Sequence, residues 1–484
     1  MTSLFIIFLA VLALYLTLGT ILAIISRKYQ KGDISDFYTS NQRLRGFLAA
    51  MTYAATTYSS FMIVGLVGFS YFTGVGSLGF ELAYYIATLG LLILIAGKVW
   101  RQAKEKNWVS PAQMLADLAG SRKLSVLISI VYLVALVPYA SAQLKAIGEV
   151  IAAAGGGEHY YLIGIIIGLL VMLVWSSLAG IWSVAITDAL QGLWMIIASL
   201  LLLGWIIGIL NSNGLTLSNT GEILSSQGLL SVGTGFWKPE IFLAFTLPWI
   251  FFAVTNPQVV QRLYMPRDEK SLSTMIKWFA VFGLSYTIIV TLIGLLARAG
   301  VEAGIISISP ESKDQVTPLL LTIVNPLLGA IVFTSIIAAS VSTADSILLT
   351  LASTASIDLA PDNADQSTRK RIGIIAILIV GLAMASIAAL RISYIVGLSV
   401  LSSVMLIGLA PTTLLLIAGY RIKPELAGAS IVLPPLASVI LFAYWKNPVK
   451  VFVYTVSGAP ISAWLLVAST IIAVTGILLE KDKA

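Results

Sequence analysis

The sequence predicts an all-α polytopic membrane protein with about 13 transmembrane helices. Hydrophobic residues make up 58% of the 484 residues and charged residues only 11%, and the mean hydropathy is +0.97. Apolar stretches of about 20 residues, long enough to cross a bilayer, follow one another along the whole chain. No low-complexity tract or polar domain interrupts them. Such a composition excludes an ordinary soluble domain.

The candidate spans lie at about 3–26, 47–74, 76–97, 124–153, 160–180, 184–210, 240–262, 274–299, 328–357, 372–390, 393–419, 426–445 and 458–479. Most of the 29 Lys and Arg residues then lie in alternate connections, on the side that the positive-inside bias assigns to the cytoplasm. This predicts an outside N-terminus, an inside C-terminus and a single transmembrane domain over residues 1–484. A cell membrane, most simply the prokaryotic cytoplasmic membrane, is expected. The net charge of +7 is read as topology-setting charge and not as a nucleic-acid site.

The first span and the longest outer connections fit this arrangement. The basic residues next to the first span follow it, whereas a cleaved signal peptide carries them ahead of its apolar core. These residues are Arg27, Lys28 and Lys31. Segments 211–239 and 300–327 are expected to be surface loops.

Two of the spans carry residues that interrupt helices. Hydroxyl side chains crowd positions 51–60 of the second span, where they compete for backbone carbonyls and weaken the helix. In the seventh span, Pro248 and Pro257 flank Trp249 and Asn256, and a proline removes a backbone donor. Interrupted spans at corresponding positions of two halves indicate a transporter site. A simple packing kink remains the alternative for the seventh span.

These two spans also suggest an internal repeat. Each would begin a unit of five spans, over 47–210 and 240–419. Because each unit has an odd number of spans, the two units would have opposite orientations in the membrane. The sequence therefore predicts inverted repeats.

The ninth span carries the most informative polar cluster. Ser342, Thr343, Asp345 and Ser346 lie within about one helical turn, and Ala339 lies three and four residues before the first two. An ionisable group at this depth in lipid must face a cavity or a partner. Uncharged oxygens with one carboxylate suit a hard monovalent cation better than a transition metal. A cation-driven transport function is the resulting hypothesis.

Few other ionisable residues lie within spans. Lys145 and Glu149 are four residues apart on one helix and can neutralise each other. Glu81 opens the third span, either as an interfacial carboxylate or as a pocket residue. Asp188 follows Thr187 near the start of its span, where a helix N-cap and an ion-related role are both open.

Other function classes lack their motifs. The single histidine, His159, lies in a short outer loop, so a His-Glu-x-x-His metalloprotease is excluded. There is no Walker motif for an ATP-driven pump and no recurring Gly-Tyr-Gly filter. The chain is therefore read as a secondary carrier and not as an enzyme, with a proton-coupled carrier or a channel as the alternatives of another class.

At these residues the chain resembles the sodium:solute symporter family. The matching motifs are 36–38, 43–46, 139–144, 187–188, 257–262 and 342–346, in the order expected of the family. One departure is Gln42, where the family usually has glycine. The resemblance implies a leucine-transporter-like core of two inverted five-helix repeats that works by alternating access, with sodium as the coupling ion.

The resemblance also implies site residues. The sodium site would consist of the backbone carbonyls of Ala55, Tyr58 and Ala339 and the hydroxyls of Ser342 and Thr343. A second cation site would consist of Asp188, Asp345 and Ser346, and could hold sodium, a proton or nothing. The solute-binding residues would be Ser59, Met62, Glu81, Tyr139, Trp249, Asn256 and Pro257.

The expected solute is a small zwitterion or organic carboxylate, first of all an amino acid such as proline. Tyr139, Trp249 and Pro257 resemble positions of proline transporters, whereas Glu81 and Asn256 resemble polar contacts of sugar transporters. A sugar, pantothenate, an organic cation or urea therefore remain as alternatives.

Overall fold

The computed structural model describes residues 3–178, 180–233 and 235–481. Within these residues, ten single helices are long and apolar enough to cross a membrane. They are Ser3–Tyr29, Gly76–Lys106, Arg122–Gly155, His159–Ser177, Gly180–Ser212, Glu269–Glu302, Pro326–Leu359, Gln366–Ala389, Pro424–Trp445 and Ile461–Glu480. Each coincides with a span expected from the sequence, and the chain is a multi-pass membrane protein.

Two further spans are bent pairs of helices, which brings the spans in the described residues to twelve. The second span consists of Gly46–Thr57 and Phe61–Thr73, inclined by 47°. Its first half ends where Tyr58 adopts an extended conformation (φ −97°, ψ 112°). Just before this break, the Thr57 hydroxyl donates to the Tyr53 carbonyl at 2.8 Å, the local competition expected of a hydroxyl-rich helix. The predicted interruption of this span is confirmed.

The seventh predicted span is broken twice. It consists of the short helices Pro239–Ile250, Phe252–Thr255 and Pro257–Arg262. Asn256, which joins the last two, is extended (φ −89°, ψ 111°), as is usual for a residue that precedes proline. No one of these pieces is long enough to cross a membrane alone. The count of 13 spans and the sidedness of the chain therefore stay predictions.

A third break was not predicted. Ile395–Leu406 and Leu409–Ala418 form a pair bent by 50°. Pro411 has no N–H to continue the hydrogen-bond ladder of the helix. Gly408 lies at the bend, and a Cβ there would come within 2.3 Å of the Ser430 carbonyl oxygen. A proline in this span was visible in the sequence, so the signal for the break was present.

The longer connections carry helices of their own. Ile34–Thr39, Pro111–Ala119, Leu217–Ser226, Val316–Ile323 and Lys450–Val453 are short α-helices, and Lys313–Gln315 is a 3-10 turn. Thr455–Val456 and Ala459–Pro460 pair as a small antiparallel hairpin. The expectation of surface loops is wrong for part of 300–327, because Asp314 is fully buried.

The ninth span lies at the centre of the helix bundle. Of its most apolar window, 83% is buried, against 33% for the first and last spans. Its polar residues from Ser340 to Ser346 are therefore surrounded by protein and not by lipid. This arrangement removes the cost of exposing them to hydrocarbon.

Candidate cation and solute sites

Hydroxyls of the ninth span meet the break of the second span. The Ser342 and Thr343 hydroxyls each lie 3.1 Å from the Ala55 carbonyl oxygen. Ser342 also lies 3.0 Å from the Ala339 carbonyl oxygen, one turn earlier on its own helix. Four of the five residues predicted to hold sodium are thus brought together. Two hydroxyls and two carbonyls offer neutral oxygens, the donor set that suits a hard cation.

Tyr58, the fifth residue, lies at the break itself. Its N–H donates to the Ala54 carbonyl at 2.8 Å, and its backbone then leaves the helical conformation. No direct hydrogen bond joins its carbonyl to Ser342 or Thr343 in the described part of the chain. A break of this kind frees carbonyls that a continuous helix would use internally.

The second group of predicted residues lies on the sixth and ninth spans, and two of its members contact the second span. Ser346 is hydrogen-bonded to the Thr56 hydroxyl at 2.8 Å, and Asp188 accepts from Thr52 at 2.5 Å. Asp345 is buried, and its Oδ1 has no hydrogen-bond partner among the described residues. The N-cap alternative for Asp188 is wrong, because its helix begins eight residues earlier, at Gly180.

A buried arginine joins this second group. Arg262 is 1% exposed, and its Nη2 donates to the Ser346 hydroxyl at 2.6 Å. Its Nε lies 3.3 Å from the Thr52 hydroxyl, the group that donates to Asp188. Arg262 therefore belongs to the second group of site residues, although the sequence analysis did not single it out as a site residue. Hydropathy does not predict the burial of Arg262, because a basic residue at the end of a short helix usually lies at the surface.

Two of the predicted solute residues, Tyr139 and Trp249, lie together in one aromatic cluster. The Tyr139 ring centroid lies 6.1 Å from that of Trp249. Ser59, Met62 and Glu81 are each buried on the second and third spans. The interfacial alternative for Glu81 is wrong, because only 1% of the residue is exposed.

Asn256 and Pro257 lie at the second break of the seventh segment. The Asn256 amide bonds to its neighbours, with Nδ2 donating to the Thr255 hydroxyl at 3.2 Å and Oδ1 accepting from Gln258 at 3.5 Å. No hydrogen bond joins Asn256 to Glu81 in the described part of the chain. These two residues therefore form the break of the segment, and their hydrogen bonds do not join them to the aromatic cluster.

Three rings of this cluster were not found by sequence analysis. Phe61, Tyr84 and Phe252 have their centroids 5.2, 5.1 and 5.1 Å from that of Trp249. Tyr84 lies three residues after Glu81 on one helix, so helical spacing could have paired them. Phe252 lies three residues after Trp249, and the same spacing could have paired these two rings.

A buried charge cluster joins several spans to the connection 300–327. Lys145 contacts Glu149 at 3.1 Å, which confirms the predicted pair, and contacts Asp314 at 2.7 Å. Asp314 also accepts from the Ile395 N–H at 3.0 Å. The connection 300–327 is thereby tied to the fourth and eleventh spans.

Next to it, the Lys313 side chain lies over three rings. Its Nζ is 4.5 Å from the Tyr394 centroid, 5.3 Å from that of Phe69 and 5.4 Å from that of Phe236. Burial lowers the pKa of Lys313, and the neighbouring Asp314 carboxylate opposes the shift. The aromatic faces compensate part of the lost hydration.

Known proteins with similar sequences are sodium-coupled symporters. The sequence model of the sodium:solute symporter family matches residues 37–429. A sodium/proline symporter of Staphylococcus aureus is 25% identical over 396 residues, covering 78% of this chain and 74% of the relative. A sodium/proline symporter of S. aureus strain NCTC 8325 / PS 47 is 24% identical over 359 residues, covering 72% and 67%.

A solved structure has the same fold. It is the substrate-bound, outward-open state of a Na+-coupled sialic acid symporter, in which a novel Na+ site was described. The two chains superpose with a TM-score of 0.78 at 18% sequence identity, covering 97% of this chain and 98% of the other. At this identity the likeness establishes that the two chains share their fold.

Proposed function

The chain belongs to the sodium:solute symporter family, with sodium as its coupling ion, and from this premise we propose that it imports a small organic solute by alternating access. The proposed solute is an amino acid such as proline or a related organic carboxylate. The names of the S. aureus relatives support this choice of solute class. The buried aromatic cluster around Trp249 supports a compact organic solute with apolar surface.

One observation carries the proposal. The hydroxyls of Ser342 and Thr343 meet the Ala55 carbonyl at the break of the second span. A sodium ion that takes these oxygens as ligands bridges the second and ninth spans. Binding energy that exists in only one arrangement of the two helices shifts the population toward that arrangement.

In the second span, the proposed sodium ligands and the proposed solute residues are adjacent in sequence. Tyr58 would offer its carbonyl to sodium, and the next residue, Ser59, lines the proposed solute site. Ordering this break by sodium therefore also orders one wall of the solute site. Such reciprocal coupling is what symport requires.

Flux into proteoliposomes tests the proposal. Purified protein is reconstituted with sodium outside and potassium inside, and uptake of labelled L-proline is followed. We expect accumulation above equilibrium only while the sodium gradient lasts. Accumulation driven by a pH gradient alone, or equilibration without any gradient, would overturn sodium symport in favour of a proton-coupled carrier or a channel.

The repeat organisation is part of the same proposal. We propose inverted repeats over 47–210 and 240–419, each opening with a broken helix, an outside N-terminus and 13 spans. The natural chain has no cysteine, so single cysteines can be introduced without background. We expect a membrane-impermeant maleimide to label the exposed position 311 from outside and the exposed position 104 only after permeabilisation. The reverse pattern would refute this orientation.

A further inference from the structure

Glu81 is a buried carboxylate without a counter-charge. It lies in the second turn of Gly76–Lys106 and is 1% exposed. Neither of its carboxylate oxygens has a hydrogen-bond partner among the described residues, and no ion pair there includes it. Burying an unpaired carboxylate is strongly unfavourable, so such groups are normally paired. In contrast, Lys145 and Asp314 neutralise each other at 2.7 Å.

Several unpartnered polar atoms lie around the carboxylate. The hydroxyls of Tyr58 and Tyr84 are buried, interact electrostatically with Glu81 and lack hydrogen-bond partners in the described chain. The Trp249 ring lies 5.1 Å from the Tyr84 ring, and its Nε1–H is also without a partner in the described chain. These groups come from three different spans, so their convergence is a property of the fold. Several unsatisfied polar atoms at one buried place indicate that a ligand satisfies them.

The walls of this place are aromatic. The Tyr84 ring meets Trp249 and Phe252 at 5.1 and 5.5 Å, both edge to face. Trp249 stacks on Phe252 at 5.1 Å. Aromatic faces attract a cation through their negative quadrupole, and a desolvated site strengthens this attraction.

We propose that Glu81 is the counter-charge for a positively charged amine of the transported solute, and that the rings of Tyr84, Trp249 and Phe252 enclose that amine. This inference rests on the proposed transport function and narrows its solute. A neutral sugar would leave the carboxylate unpaired, and a simple organic anion would be repelled by it. A protonated or quaternary amine supplies the missing charge and uses the aromatic faces.

A solute panel on the unaltered protein is the first test. Thermal stability of the purified protein is measured in sodium chloride and in potassium chloride, with L-proline, glycine betaine, galactose, pantothenate and propionate. A ligand that binds the folded state raises the melting temperature. We expect a sodium-dependent rise with at least one of the two amine-bearing compounds and none with the other three. A rise produced only by galactose, pantothenate or propionate would overturn the inference.

Charge removal at Glu81 is the second test. We expect Glu81→Gln to weaken binding of the stabilising amine at least tenfold, and Glu81→Asp to weaken it less. The sodium concentration for half-maximal stabilisation by sodium alone should stay unchanged. Glu105→Gln is the matched control, since Glu105 lies exposed on the same helix. If Glu81→Gln folds with its normal melting temperature and binds the amine as well as before, the inference is wrong.

The two proposals fail differently. If sodium-driven uptake is measured for a solute without an amine, the symport function stands and the role of Glu81 is refuted. If an amine binds through Glu81 but its uptake ignores the sodium gradient, the role of Glu81 stands and the symport function is refuted.

Discussion

The Ser342 hydroxyl lies 3.1 Å from the Ala55 carbonyl oxygen, although 287 positions separate the two residues in the sequence. Thr343 reaches the same oxygen at the same distance. The break of the second span thus presents one carbonyl to two neighbouring hydroxyls of the ninth span. The affinity of an ion bound here would depend on the distance between the two helices.

Thr343→Ala removes one hydroxyl from this junction. We expect the sodium concentration for half-maximal uptake to rise about tenfold, which corresponds to about 1.4 kcal/mol. The maximal uptake rate at saturating sodium should change much less. Sodium titration of labelled-solute uptake in proteoliposomes measures both quantities.

Ser340→Ala is the matched control for this experiment. Ser340 lies on the same helix, but its hydroxyl donates to the Ile336 carbonyl of its own helix at 2.9 Å. Its loss should leave the sodium dependence unchanged. Equal effects of the two substitutions would contradict a specific sodium role for Thr343.

Substitution of Asp345 tests whether the second cation site holds sodium. Its Oδ1 is buried without a partner among the described residues, whereas Asp188 already accepts from Thr52. If Asp345 holds a second sodium ion, uptake by the unaltered protein depends cooperatively on sodium, and Asp345→Asn makes the dependence hyperbolic. Asp362→Asn, at an 86% exposed side chain, should keep the cooperative curve. A hyperbolic curve for the unaltered protein would rule out a second sodium ion.

Sequence reasoning succeeded where the signal was local. Hydroxyls spaced along the ninth helix and the proline at 257 act within a turn or two of the chain, and the corresponding helix face and break are present. It failed where the decisive contact is between distant segments. The burial of Arg262 depends on Ser346, 84 positions away, and that of Asp314 on Lys145, 169 positions away. No local pattern of hydropathy encodes such contacts.

The ion pair between Lys145 and Asp314 should contribute strongly to stability. Removing one partner of a buried pair typically costs about 3–5 kcal/mol when the other charge is left uncompensated. Glu149, at 3.1 Å, compensates Lys145 only in part, because it also pairs with Arg391 at 3.5 Å. Asp314→Asn keeps an oxygen for the Ile395 N–H and removes only the charge. We expect a clear fall in the melting temperature of the purified protein, partly offset when Lys145→Met is added.

An exposed ion pair provides the comparison. The Arg122 and Asp362 side chains form a pair at 2.9 Å, with 53% and 86% of each exposed. Exposed pairs contribute about 0–1 kcal/mol. Asp362→Asn should therefore barely change the melting temperature, and an equally large fall with both variants would refute the argument from burial.

Gly68 should be needed for the connection 300–327 to pack on the second span. A Cβ at this position would lie 1.8 Å from the Lys313 carbonyl oxygen, and a backbone atom cannot move aside cheaply. Nearby, the Thr317 hydroxyl donates to the Ile63 carbonyl at 2.6 Å, which fixes the same connection. Gly68→Ala should push this connection outward, with a loss of about 1–3 kcal/mol, the usual effect of overpacking.

The melting temperature and the uptake rate together test this expectation. We expect Gly68→Ala to lower both, whereas Gly90→Ala should lower neither. Gly90 lies in Gly76–Lys106, where an added Cβ meets nothing within 4 Å and alanine favours the helix. Because the two substitutions add the same methyl group, only the packing of Lys313 against Gly68 distinguishes them. Normal stability and uptake in Gly68→Ala would mean that the connection 300–327 is not held in this position.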